Sequence, residues 1–138
     1  MTIQYVDSLE SIKEDSFAEG FFAGWPNPPS PETFVRVLHG SAHVVLALDD
    51  ESGQIIGFIN ALSDGVLSAY IPLLEVIPAY QSQGIGRELA RRMLKKLDGH
   101  YMVDLLCDPE LESFYARQGM RKANGMMLRN YKKQSGML

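Results

Sequence analysis

The stretch Leu73-Leu74-Glu75-Val76-Ile77-Pro78-Ala79-Tyr80-Gln81-Ser82-Gln83-Gly84-Ile85-Gly86-Arg87 constrains this chain more than any other. Strand-compatible residues run up to Pro78, which cannot continue a sheet ladder. A short polar turn with two glycines follows. Beyond it the apolar spacing turns helical: Ile85, Leu89, Met93 and Leu97 recur every fourth residue, with Ala90 and Leu94 beside them. Arg87, Glu88, Arg91, Arg92, Lys95 and Lys96 take the other face. Gly99 is placed to stop the helix in a left-handed conformation.

A glycine-rich turn that opens a helix has a chemical consequence. The first N–H groups of the helix lack carbonyl partners, and the summed peptide dipoles make that end positive. Gly84 and Gly86 carry no Cβ, so a bulky anion can reach the backbone, and a phosphate-bearing ligand is expected there. Two familiar motifs fail on spacing. A nucleotide P-loop ends in Gly-Lys-Ser/Thr, whereas Arg87-Glu88 follow Gly86. A dinucleotide fingerprint needs a third glycine where Leu89 stands, and its first glycine directly behind the strand.

Around this stretch the pattern reads as β-α-α-β-β-β-α-β-α-β-β. Thr2 to Val6 suit an edge strand, and a helix is expected after a cap at Asp7, with Glu10 in capping-box spacing, or at Ser8, on an imperfect stripe of Leu9, Ile12, Phe17 and Phe21, although Gly20 and Gly24 weaken its second half. The prolines of Gly24 to Pro31 enforce a stiff loop. Ser30-Pro31 then opens a helix to about His39, closed by Gly40. Two strands at Val44–Leu48 and Ile55–Ile59 flank a hairpin turn at Asp49–Gly53. Asp64-Gly65 turns the chain into a third strand, Val66 to Ile77. After the central helix come a strand from Tyr101 to Cys107 and a helix opened by Asp108-Pro109. That last helix carries Leu111, Phe114 and Tyr115 on one face and ends at Gly119. Met120–Lys122 and Met126–Tyr131, on either side of Asn124-Gly125, are expected as closing strands, with 132–138 a frayed tail.

The length of 138 residues fits one domain spanning 1–138. A net charge of -4 argues against nucleic acid as the main partner, since no basic surplus exists to neutralise phosphates. One cysteine rules out an intrachain disulfide framework. Neither a signal peptide nor a bilayer-length apolar run is visible, so no membrane association and a cytoplasmic location are expected.

The arrangement Gln-x-x-Gly-x-Gly behind a strand ending Val-x-Pro closely resembles the acetyl-coenzyme A site of the GNAT (Gcn5-related N-acetyltransferase) family. The likeness extends over nearly the whole chain. Asp108, Tyr115 and Gly119-Met120 keep the spacing of a second family segment, with Asp in place of the usual Asn and Met in place of Phe. The resemblance implies an α/β (α+β) fold: a mixed, mostly antiparallel sheet of about 6–7 strands flanked by about four helices. It also implies an N-acetyltransferase that uses acetyl-CoA as cosubstrate and acts on a primary amine of a small molecule or peptide, by direct transfer in a ternary complex. A homodimer is compatible with it. A non-catalytic acyl-CoA-binding or protein-interaction module on the same scaffold is the alternative. A toxin acting on charged tRNA is disfavoured by the acidic balance.

By that resemblance, backbone N–H groups of Gln83, Gly84, Ile85, Gly86 and Arg87 take the pyrophosphate, with Gln81, Ser82 and Asp108 among the cofactor contacts. The strand around Leu74 and Val76 pairs with the pantetheine arm, placing the Val76 N–H near the thioester carbonyl. Acyl transfer also needs an uncharged amine, a stabilised oxyanion and a proton for the leaving thiolate. Tyr115 is the candidate acid, although a tyrosine on an apolar helix face can equally be core. Glu75 is the candidate base, because a carboxylate inside an apolar strand is expensive without a task or a partner. Asp104 or a water chain are alternatives. Phe21, Phe22, Trp25 and Asn27 form a stiff, aromatic stretch that either borders the acceptor or merely covers the sheet. Cys107 has no histidine nearby in the chain, and His39 and His43 find no further ligands, so neither a cysteine nucleophile nor a metal is expected.

Overall fold

A computed structural model describes residues 2–137; residues 1 and 138, the outermost positions of the expected domain and tail, lie outside the described residues. Five strands form one sheet in the order β1 (Ile3–Val6), β2 (His43–Asp49), β3 (Ile55–Ser63), β4 (Ser68–Val76) and β5 (Met102–Asp104). The first three pairings are antiparallel, and β5 joins β4 in parallel. Three α-helices accompany it: α1 (Pro31–His39), α2 (Ile85–Lys96) and α3 (Glu112–Ala116). The fold is the mixed α/β class read from the sequence, with fewer strands and helices than the expected 6–7 and four.

The helices divide the core. The apolar stripe Ile85, Leu89, Ala90, Met93 packs on one sheet face against Val45, Ala47, Ile59 and Ile71. On the other face, Phe34 and Leu38 of α1 join Phe22, Val44, Leu46 and Phe58. Gly57 of β3 lets α2 lie close: a Cβ there would sit 3.3 Å from the Leu89 Cδ1 and 3.1 Å from the Glu75 carbonyl oxygen. Helix α1 starts where its cap predicts, with the Ser30 hydroxyl accepting from the Thr33 N–H at 3.2 Å, and Gly40 closing it.

Several expectations are corrected. The segment from Ser8 holds only a 3₁₀ turn, Glu14–Ser16. Its apolar stripe anchors a loop: Phe17 forms a bridge to Ile55 and stacks on Phe34 at 4.1 Å, and Gly20 and Phe22 take positive φ that no helix allows. Gly99 does not adopt the left-handed conformation; α2 is closed at Leu97 by N–H bonds to Met93 and Lys95. The third strand begins at Ser68, because the Asp64 carboxylate accepts the N–H groups of Val66, Leu67 and Ser68 and holds them in the turn. The β5 strand keeps three residues of the seven expected. Residues 120–130 form no strand at all, and no described residue pairs with their backbone as a strand. The expected frayed tail is tied down: the Asn27 N–H and Nδ2 donate to the Gln134 Oε1 (2.8 Å) and the Tyr131 carbonyl (2.9 Å).

The shortness of β5 shapes the molecule. Its register with β4 ends at Tyr70–Asp104. Two residues on stands Pro72, which has no N–H to offer, and the β3–β4 register slips opposite it. From there to Val76 the outer edge of β4 is open.

Candidate active site

The open edge becomes one wall of a cleft. The Ile77 N–H donates to the Ile56 carbonyl at 3.0 Å, so the alternation of an antiparallel ladder turns the polar groups of Leu74 and Val76 away from β3, toward the gap. The Gln81 Nε2 donates to the Val76 carbonyl at 2.9 Å and folds the loop back over the strand end. Ser82 and Gly84 take left-handed φ of 65° and 83°, and α2 starts at Ile85 without a side-chain cap. The first helical bond is Glu88 N–H to the Gly84 carbonyl. Consequently the N–H groups of residues 82–87 donate to no described residue.

Residues 82 and 84–87 share a cleft of about 570 Å3, within the ordinary range for a small-molecule site. Leu74, Val76, Gln81, Ser82, Gly84, Ile85, Gly86, Arg87 and Tyr115, all named from the sequence, line it together. Gln83 and Asp108 do not. Asp108 is exposed, and its carboxylate makes no capping bond; the first turn after it is 3₁₀, bonded through the Asp108 carbonyl.

The cleft also holds residues that the sequence reading did not assign to the site. Tyr80, Leu111, Phe114 and Arg117 line it, and the Gln118 Nε2 donates to the Arg87 carbonyl at 3.3 Å, linking the end of α3 to the start of α2. Tyr80 donates its hydroxyl to Asp49, 31 residues away, in a short hydrogen bond that raises the phenol pKa and lowers that of the carboxyl. No local pattern marks such a pair. Arg117 was findable only as one more cation on a helix end.

Tyr115 is half-buried against Phe114 at 4.9 Å. Burial, with Cys107 adding to it, pushes its pKa up to about 12, so it holds its proton at neutral pH. Cys107 itself is exposed, and burial of its thiol together with Glu112 and Asp108 pushes its pKa up, away from a reactive thiolate.

Glu75 leaves β4 on the face opposite the side chains of Leu74 and Val76. Its Oε1 accepts the Phe22 N–H at 2.9 Å, and its Oε2 is buried with no partner among the described residues. Burial raises its pKa, with the Phe22 bond opposing. Asp104 is exposed on β5. Phe22 is buried, packed on Trp25 at 4.8 Å and Phe34 at 4.9 Å, and Phe21 packs on Phe34 at 5.2 Å. These rings cover the sheet, with Trp25 partly exposed at the rim, and Asn27 is engaged with the C-terminal segment. Among the described residues no group of three or more His, Cys, Asp or Glu is placed to hold a metal, and no helix is long and apolar enough to cross a membrane.

Comparison with known proteins identifies the family and the fold. A Deinococcus radiodurans R1 protein whose acetyltransferase assignment is provisional has a crystal structure similar to 99% of this chain and 94% of its own, with 51% identity and a TM-score of 0.92. A GNAT-family acetyltransferase from Streptococcus pneumoniae TIGR4 superposes on 94% of this chain and 98% of its own at 28% identity and a TM-score of 0.74. An uncharacterised N-acetyltransferase of Porphyra purpurea is 26% identical over 102 residues, which are 72% of this chain and 59% of that relative. The match thus spans less than two thirds of that relative's length. The Acetyltransferase (GNAT) family model matches residues 9–120, from the loop beneath Phe22 to the end of the cleft, and the chain belongs to the GNAT acetyltransferase family.

Proposed function

We propose that the chain is an acetyl-CoA-dependent N-acetyltransferase that acetylates a primary amine of a small molecule or peptide by direct transfer in a ternary complex. The observation that carries this reading is the row of unpaired N–H groups at 82–87 lying at one end of the open β4 edge. The residues fit the cosubstrate. A Cβ on Gly84 would touch only the Arg87 guanidinium, so the turn presents bare backbone to an anion, flanked by Arg87 and Arg117. The open edge of Leu74 and Val76 suits an amide-bearing arm added as an extra strand.

Acetyl-CoA would supply an acyl carbon activated as a thioester. The backbone N–H groups of 82–87 would hold its diphosphate, and the Val76 N–H would donate to the carbonyl oxygen. Glu75, on the opposite face, is placed to accept a proton from an amine arriving through the Phe22–Trp25 side. Burial raises its pKa, which favours proton acceptance near neutral pH. Tyr115, protonated at neutral pH, would act as a hydrogen-bond donor to the departing thiolate. Full proton transfer from a group near 12 to a thiolate is uphill, which makes donation without transfer the better description.

Titration with coenzyme A followed by a panel of amines, reading thiol release, tests the proposal. Binding below millimolar with thiol release on at least one amine is expected. No binding at millimolar coenzyme A overturns the site. Binding without release on any amine would favour the acyl-CoA-binding module instead.

A further inference from the structure

Residues 78–84 carry the chain from the end of β4 to the start of α2, and the donors of 82–87 are only as well placed as this connection. Of its residues Tyr80 is half-buried and all the others are exposed. Most of its hydrogen bonds are local. The Tyr80 N–H donates to the Ile77 carbonyl at 2.9 Å and the Gln81 N–H to the Pro78 carbonyl at 3.3 Å, while the Gln81 side chain bonds Val76. Bonds of this kind set the shape of a loop without fixing where it sits on the sheet.

One bond reaches further. The Tyr80 hydroxyl donates to the Asp49 Oδ2 at the end of β2, two strands across the sheet from β4. Among the described residues it is the one hydrogen bond that joins 78–84 to a different strand from the one it leaves.

Asp49 is built as an anchor. Its N–H donates to the Gln54 carbonyl at 3.0 Å, its carbonyl accepts the Gly53 N–H at 2.7 Å, and it pairs with Ile3 of β1. It is 7% exposed, and it makes no ion pair with a lysine or arginine among the described residues. A carboxylate so placed needs donors. The Glu51 N–H serves its Oδ1 at 2.9 Å, from within the same hairpin, and Tyr80 serves its Oδ2 from outside. A hydroxyl donating to a carboxylate belongs to the strong class of hydrogen bonds.

The same bond decides how Tyr80 enters the cleft. A phenol has one proton, and here Asp49 takes it. Tyr80 therefore lines the cleft as a ring without a free donor, and Asp49 lies outside the lining altogether.

We propose that Asp49 is a positioning residue of the coenzyme A site: through the Tyr80 hydroxyl it fixes the turn 78–84 on the sheet, so that the N–H groups of 82–87 stand ready for a diphosphate that Asp49 itself never touches. This rests on the coenzyme A reading above. With the tie cut, the turn samples other positions. The apparent affinity then falls with the fraction of chains in the competent arrangement, and the association rate constant falls by the same factor while dissociation is unchanged.

Coenzyme A titration by calorimetry, with stopped-flow association rates, tests this on the full chain. Tyr80→Phe keeps the ring and removes the tie, and should weaken binding by about 5- to 20-fold, carried by slower association. Asp49→Ala should reproduce that loss from outside the cleft, and the double variant should be no worse than either single one. Asp49→Asn keeps an acceptor for the phenol and should stay within about threefold of the parent. Lowered thermal stability with unchanged affinity makes the pair merely structural and overturns the proposal. So does a loss in Tyr80→Phe carried by faster dissociation, since the hydroxyl would then be a ligand contact. An unsubstituted chain that ignores coenzyme A removes the site and the tie together, whereas binding that neither Tyr80→Phe nor Asp49→Ala disturbs removes the tie and leaves the site.

Discussion

The backbone N–H of Phe22 donates to one carboxylate oxygen of Glu75 at 2.9 Å, while the second oxygen is buried with no partner among the described residues. Two costly features meet at this bond: Phe22 takes a φ of 58°, and Glu75 is a carboxylate with one buried, unpartnered oxygen. Such an arrangement stays intact only if the fold holds it firmly.

Glu75→Gln is expected to lose turnover and gain stability at neutral pH. Burial raises the Glu75 pKa, so the folded chain holds that proton more tightly than the unfolded chain. The stabilisation from the protonated form is complete below the ordinary carboxylate pKa and is lost as pH rises through the raised folded value. Glutamine keeps an acceptor for Phe22 without the ionisation. Thermal melts from pH 4 to 8 should show the variant's advantage growing with pH. A variant equally active, or less stable at pH 8 than at pH 4 relative to the parent, refutes this.

Gly86→Ala separates folding from binding. A Cβ at this position would meet only the Val76 Cγ2, at 3.9 Å, an ordinary contact. Replacing a helical glycine by alanine should leave the fold as stable or up to about 1 kcal/mol more stable. The same methyl intrudes on the donors of the turn, so coenzyme A should bind at least tenfold more weakly by calorimetry. Unchanged affinity would remove residue 86 from the site.

Tyr115→Phe should reduce kcat by about 10- to 100-fold, at or below the low end of the general-acid range, because a hydrogen bond rather than a complete proton transfer is lost. The affinity for coenzyme A should hardly move. With a pKa near 12, Tyr115 should contribute no fall in rate up to about pH 10. A falling alkaline limb that vanishes in the phenylalanine variant would contradict this assignment.

Gly57→Ala should destabilise by about 1–3 kcal/mol in denaturant titrations, since the new methyl overpacks the seam between α2 and the sheet. Both Leu89 and Val76 would have to give way, and Val76 also lines the cleft. Weaker coenzyme A binding should therefore accompany the lost stability, unlike in Gly86→Ala.

Local chemistry made much of this molecule legible in advance. Ser30, Pro31 and Gly40 delimit α1 through hydrogen bonds that each residue makes with its neighbours. The change of period at Gly84 marks strand, turn and helix for the same reason, and nine of the residues named around it do line one cleft. The failures are non-local. Leu9, Ile12, Phe17 and Phe21 have nearly helical spacing, yet they anchor an irregular loop to Phe34 and Phe58, which only the folded sheet brings near. The strand-like run Met126–Tyr131 carries the right residues and finds no strand partner among the described residues. Pro72 went unremarked inside a strand, although it marks where β5 departs.

The left-handed backbone at Ser82 and Gly84 carries a kinetic implication. Because these torsions belong to the fold itself, the entropy of arranging the donors is lost during folding instead of at each encounter. Association should then proceed with little rearrangement, and turnover would be limited by events on the opposite side of the sheet, where an amine must find its way past Phe22.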